Sequence, residues 1–120
     1  MKPRMLVVDE DGDLSELYRL ELEDEGYNVE LAGTASAALE KLQYTGYDVV
    51  ILDIRMPGMP GIDLLRRVIA RDRQQSVILN TSYSYYRQNY RAWSAAAYVV
   101  KSHSTIELKQ AIRNALAAKS

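Results

Sequence analysis

The chain has no cysteine, and so neither a disulfide framework nor a thiolate metal site, which fits the cytosol. Its one histidine, His103, is expected in a solvated loop. A net charge of -1 lacks the basic excess of surfaces that bind nucleic acid directly. The arginines Arg66, Arg67, Arg71 and Arg73 are offset by Asp63 and Asp72 and read as a solvated helix face. No apolar run is long enough to cross a bilayer, and Met1-Lys-Pro-Arg4 leads straight into a strand with no signal-peptide core. A cytoplasmic protein without a membrane partner is therefore expected. Internal repeats and low-complexity segments are absent too. At 120 residues, 48% apolar and 26% charged, the composition is that of one ordinary domain with a single core, spanning 1–120.

Apolar runs of about five residues alternate with helical patterns five times along the chain. Strands are predicted near 4–9, 28–32, 48–53, 76–81 and 96–100. The runs at 5–8, 49–52 and 77–79 are apolar on both faces, as central strands of a covered parallel sheet are; Asn28-Val-Glu-Leu-Ala32 alternates like an edge strand. The first helix is predicted from the capping-box spacing Asp13-Leu-Ser-Glu16, with Leu14, Leu17, Tyr18 and Leu22 on its apolar stripe and Gly26 as its stop. The second opens at Thr34 and buries Ala35, Ala38, Leu39 and Leu42. The third follows the turn Pro57-Gly-Met-Pro-Gly61 and presents Ile62, Leu65, Val68 and Ile69. A fourth, over 84–94, is rich in tyrosine and has no glycine stop. The fifth opens on a second capping box, Ser104-Thr-Ile-Glu107, ahead of Leu108, Ala111, Ile112 and Ala115. Five βα units with right-handed crossovers make a doubly wound α/β sandwich.

Asp53 ends the run Val49-Val-Ile-Leu52 and precedes a Pro-Gly turn, which places a carboxylate at the carboxyl edge of the sheet, where such folds keep their chemistry. Asp9 and Glu10 end the run Met5-Leu-Val-Val8 in the same way. On neighbouring strands the three acids would converge, and a hard divalent cation with oxygen ligands is the natural way to hold them together.

Four short motifs at four successive strand ends, Val8-Asp-Glu10, Leu52-Asp-Ile-Arg-Met-Pro-Gly58, Val77-Ile-Leu-Asn-Thr-Ser82 and Tyr98-Val-Val-Lys101, resemble those of the receiver domain of two-component response regulators, the CheY-like family. The resemblance runs the length of the chain. It implies a flavodoxin-like three-layer sandwich with strand order 2-1-3-4-5. It further implies a phosphoacceptor switch, which promotes only its own phosphorylation and dephosphorylation and is not otherwise an enzyme. Asp53 would take a phosphoryl group from a histidine kinase or phosphotransfer protein. Magnesium would be held by Asp9, Glu10, Asp53 and the backbone carbonyl of Arg55, with Lys101 and Thr81 contacting phosphoryl oxygens. Thr81 and Tyr98 match the family's switch pair. The face of helix four, strand five and helix five would change partners, either a second copy or an effector domain.

The chain departs from the family at three places: Glu10 where Asp is commoner, Ser94-Ala95 where Gly-Ala is common, and Ser102 where proline usually follows the lysine. Without that proline the Lys101–Ser102 peptide is expected to be trans. Arg55 and Tyr83, two residues after Asp53 and Thr81, are expected to overhang the site and set the phosphoryl lifetime.

Other readings of the same residues fit less well. Asp11 and Asp13 suit first-turn caps. Asp9-x-Asp-x-Asp13 has the start of a calcium loop, but Leu14 and Leu20 stand where Gly and Glu are required. The stripe Tyr86, Tyr90, Trp93 has the spacing of a core-facing helix, with a partner-binding face as the other reading. A haloacid-dehalogenase-type phosphatase would need an acid at Arg55, and a flavodoxin a hydroxyl- and glycine-rich loop where Asp9 and Glu10 stand. A pseudo-receiver that serves as an unphosphorylated scaffold is the alternative function.

Overall fold

The computed structural model describes residues 1–84 and 86–119; Tyr85, expected on the fourth helix, and Ser120, the last position of the expected domain, lie outside the described residues. Strands form where the apolar runs stand: β1 (Arg4–Val8), β2 (Asn28–Ala32), β3 (Val49–Leu52), β4 (Ser76–Thr81) and β5 (Ala97–Val100). All pair in parallel, in the order β2-β1-β3-β4-β5, the doubly wound order expected. Val8 lies opposite Leu52, Leu52 opposite Leu79, and Asn80 opposite Val99.

Side chains alternate across a strand, so the sheet divides the core in two. Leu6, Val8, Val50, Leu52, Val77 and Leu79 face α2 (Ala35–Tyr44) and α3 (Gly61–Arg71). Met5, Val7, Val49, Ile51, Ile78 and Val99 face α1 (Gly12–Asp24) and α4 (Ile106–Ala118). No helix among the described residues is long and apolar enough to cross a membrane.

Several local expectations need correction. Asp11, not Asp13, is the N-cap of α1, accepting from the Leu14 N–H at 3.1 Å, while Asp13 is the acid of the first turn. Leu17 is exposed, whereas Ser15, Tyr18 and Leu22 are buried. At about 100° per residue these three share one arc with Leu14, and Leu17 falls outside it. α2 opens as expected, with Thr34 Oγ1 accepting from the Ala37 N–H. α4 begins without the capping box: Ser104 Oγ accepts from the Ile106 N–H, and Glu107 pairs with Arg87 at 3.4 Å in place of reaching back.

The largest correction concerns residues 84–94. Among those described, only Arg87–Asn89 is helical, as one 3₁₀ turn. Aromatic packing shapes this segment in place of a helical ladder. Tyr86 stacks on Trp93 with centroids 5.8 Å apart, Tyr90 stacks on Tyr98 at 6.4 Å, and all three stripe residues are part-buried against the α2–α3 core. The segment ends in a Schellman arrangement, in which the Ala95 N–H donates to the Tyr90 carbonyl and that of Ser94 to Arg91. Ser94 takes the left-handed position at φ 63°, the one described non-glycine residue with positive φ. This is where the family's usual glycine is missing. Ser94→Gly should therefore stabilise the protein by about 1 kcal/mol in urea unfolding, since an L side chain in this conformation costs about that much.

Candidate functional site

Beyond the strand ends the backbone ladder carries on for one more step. The Asp53 N–H donates to the Val8 carbonyl at 3.0 Å and the Lys101 N–H to that of Thr81 at 2.8 Å. Asp9 and Asp53 thus emerge side by side, in phase with Val7 and Ile51, on the α1–α4 face. Lys101, in phase with Val99, reaches across from β5. Its Nζ donates to Asp9 Oδ2 at 2.6 Å and to Asp53 Oδ2 at 2.8 Å. The other carboxylate oxygens accept backbone N–H groups, Asp9 Oδ1 from Asp11 at 3.0 Å and Asp53 Oδ1 from Arg55 at 3.1 Å. Asp53 is nevertheless 9% exposed, open enough to be reached from the edge.

Burial opposes the charge on Lys101, but its bonds to Asp53 and Asp9 outweigh that and raise its pKa above the ordinary lysine value. A raised pKa stabilises the fold fully below the unfolded value and ceases to do so as pH climbs through the folded one. Tyr47 acts in the same direction, pushed up to about 12 by burial and by its hydrogen bond to Glu30. Thermal unfolding should accordingly occur at lower temperature from about pH 10 upward. Tyr47→Phe should remove part of that decline and leave the part that belongs to Lys101.

Thr81 follows Leu79 onto the opposite face, fully buried, and its Oγ1 has no hydrogen-bond partner among the described residues. Buried hydroxyls are ordinarily satisfied, so this one stands ready for an acceptor that arrives at the edge. Arg55 and Tyr83, expected to overhang the site, contact each other on a cavity that Glu10 also lines. The guanidinium lies 4.8 Å from the Tyr83 ring centroid and hydrogen-bonds its hydroxyl. Tyr98 is buried, and its hydroxyl donates to the Tyr83 carbonyl, so the expected switch aromatic points inward and ties β5 to the loop after β4. The Lys101–Ser102 peptide is trans, as predicted, and His103 is exposed.

Glu10 departs from expectation. It is exposed on a cavity of about 740 Å³ that Arg55, Met56, Met59, Tyr83 and Tyr86 also line. Among the described residues no three acidic or histidine side chains are gathered closely enough to hold a metal ion. The expected convergence is thus a pair, Asp9 with Asp53, closed by Lys101, and Glu10 is the rim. In kind the donors still suit a hard divalent cation: two buried carboxylates, a third acid at the mouth, the Arg55 carbonyl, and one ammonium against three acids.

Gly61 is more than the turn residue its place after Pro60 suggests. Its N–H donates to the Ile54 carbonyl at 2.7 Å, folding residues 54–60 back on themselves directly after Asp53. The doubled Pro-Gly spacing, Pro57-Gly58 then Pro60-Gly61, was the available signal for so tight a return.

The class so defined is a doubly wound α/β sandwich with an acid pair and a lysine at the carboxyl edge of its parallel sheet. The chain belongs to the response regulator receiver domain family, whose model matches residues 5–113. It is 33% identical over 117 residues to the uncharacterized transcriptional regulatory protein YkoG of Bacillus subtilis, which covers 96% of this chain and 51% of that protein. It is 37% identical over 82 residues to the DNA-binding response regulator MtrA of Mycolicibacterium smegmatis, covering 68% of this chain and 36% of that protein. The chain thus spans about half or less of the length of these relatives. Among solved structures it resembles the Thermotoga maritima response regulator TrrA in complex with Mg²⁺ and beryllofluoride. There the identity is 40%, the TM-score 0.90, and the match covers 97% of this chain and 100% of that one. TrrA in complex with the histidine kinase ThkA matches with a TM-score of 0.88 at 40% identity, covering 97% and 99%.

Proposed function

We propose that this receiver domain is a phosphorylation switch in which Asp53 accepts a phosphoryl group from a histidine kinase or phosphotransfer protein. The observation that carries the reading is the lysine-bridged pair: Lys101 holds Asp53 and Asp9 at the edge where the Thr81 hydroxyl is buried without a partner among the described residues. An Asp53 oxygen attacks phosphorus, a new O–P bond forms, and the donor's leaving group departs with the electron pair of the broken bond. Lys101 is already beside the nucleophile and can pass from carboxylate to phosphoryl oxygen without leaving its place. The Thr81 hydroxyl donates to another phosphoryl oxygen. Asp9, Glu10, Asp53 and the Arg55 carbonyl would hold a magnesium ion, which would supply the charge neutralisation that lets two anions meet. The Mg²⁺ in the similar TrrA structure and the ThkA complex support this choice of metal and donor.

The test is intact-mass measurement after incubation with acetyl phosphate. One phosphoryl group should add in magnesium and none in excess chelator. Labelling indifferent to chelator would overturn the role of the metal, and an unlabelled protein would favour the scaffold alternative.

Output is proposed to run through Thr81 and Tyr98 to the face made by residues 82–95, β5 and α4, where a second copy or an effector domain binds. Because the described residues of 84–94 are held by tilted aromatic pairs and one 3₁₀ turn, the moving part is a loop and not the helix expected there. Tyr90, Tyr98, Glu107, Gln110 and Asn114 line a cavity of about 420 Å³ on this face. The Arg55–Tyr83 contact screens attacking water from the phosphoryl group. Tyr83→Ala should hasten dephosphorylation severalfold, read from the decay of the phosphorylated mass. An unchanged decay would remove Tyr83 from that role.

A further inference from the structure

Among the described residues five polar or charged side chains other than tyrosines are buried, and Asp9, Asp53 and Thr81 belong to the site described. Asn80 is one of the remaining two, and it is 2% exposed. The register that pairs Leu52 with Leu79 continues to set Asp53 beside Asn80, just as it sets Asp9 beside Asp53. On the other side Asn80 pairs with Val99. Asp9, Asp53, Asn80 and Val99 thus form one row across the sheet, with Lys101 one step above it. Asn80 is in phase with Ile78 and so faces α1 and α4, the same side as the two acids. From α1, Tyr18 comes down onto this row, itself only 4% exposed. Burial raises the pKa of the Tyr18 phenol, the Asn80 side chain hydrogen-bonds it and works the other way, and the charges of Lys101, Asp9 and Asp53 all act on it.

An amide in a row of apolar strand residues costs free energy unless it is bonded, and the same holds for a buried phenol. Each has the other to satisfy it, beside the phosphoacceptor row. We propose that Asn80 and Tyr18 are a positioning pair for the phosphoacceptor: Asn80, on the neighbouring strand, limits by packing where Asp53 can sit, and Tyr18 anchors Asn80 to α1. The pair rests on the reading of Asp53 as phosphoacceptor and goes beyond it in assigning residues from two further elements. It also makes the seating of α1 a determinant of how fast Asp53 reacts, since moving that helix moves the partner that orients Asn80.

The experiment measures the initial rate of acetyl-phosphate labelling at saturating magnesium for Tyr18→Phe, Asn80→Leu and the double variant, each shown by thermal unfolding to be folded at the assay temperature. Each single variant should label about five-fold more slowly, and the double variant no more slowly than either alone, because the second change removes a bond already lost. Folded single variants that label at the wild-type rate would overturn the proposal, since a purely structural pair lowers stability and leaves the rate alone. Rates that multiply in the double variant would overturn the pairing. Should Asn80→Leu not fold, Asn80→Val takes its place in the cycle. A wild-type chain that takes no label at all would instead overturn the phosphoacceptor reading itself, so the two failures are distinct.

Discussion

Lys101→Met is expected to destabilise the protein by about 3 kcal/mol at neutral pH, the usual cost of leaving a buried charge without its partner. The two carboxylates it bridges are both buried and accept only one backbone N–H each besides the ammonium. Without the lysine, two like charges face each other across adjacent strands, and the strand ends are pushed apart. The deficit should shrink in Lys101→Met/Asp53→Asn, where one of the two charges is gone. Urea unfolding at pH 7 of the single and double variants checks this; a deficit that is equal in the two would show that packing of the lysine stem, and not its charge, is what matters. Labelling by acetyl phosphate should slow by about a hundred-fold, the typical cost of one preorganised charge contact to a transferring group.

Gly61→Ala is expected to be as damaging, for a steric reason. A methyl at this position would stand 2.5 Å from Ile54 Cα and closer still to its carbonyl oxygen. Both atoms are backbone, so no side chain can swing aside, and the turn of residues 54–60 has to open. Overpacking of this kind costs about 3 kcal/mol at the upper end of its usual range. The damage should be functional too. The turn presents the Arg55 N–H to Asp53 Oδ1 and the Arg55 side chain to Tyr83. Expected results are a lower urea midpoint and slowed labelling even in the fraction that remains folded. An alanine variant with wild-type stability would mean that α3 can start elsewhere.

The sheet was legible in the sequence because its signal is strong and local. Central strands such as Val49-Val-Ile-Leu52 are apolar on both faces, and nothing but a doubly covered parallel sheet accommodates three of them between helical patterns. The positions of Asp9, Asp53 and Lys101 followed from the strand ends. Glu10 did not, because it lies past the end of β1, in the exposed bend that opens toward α1, where the strand no longer sets its place. The first and last helix starts were misplaced by one or two residues, since Asp11 and Asp13 offer rival caps and Glu107 finds Arg87 closer to hand than its own helix terminus. Residues 84–94 misled most. The spacing of Tyr86, Tyr90 and Trp93 is that of a helix face, yet the same rings satisfy one another and Tyr98 by stacking, which decouples their burial from helical geometry. Asn80 passed as a strand residue of the motif around Thr81; only the register shows that it neighbours Asp53.

The central claim is that the phosphoryl group is carried by Asp53. An aspartyl phosphate is an acyl phosphate, and borohydride reduces it to homoserine, so the modified position can be read by fragmenting the digested protein. Labelled with acetyl phosphate in magnesium and then reduced, the chain should carry homoserine at position 53 and nowhere else, and Asp53→Asn should carry none. Homoserine at Asp9 in its place, or a phosphoryl group that resists borohydride and maps to His103, would contradict the account.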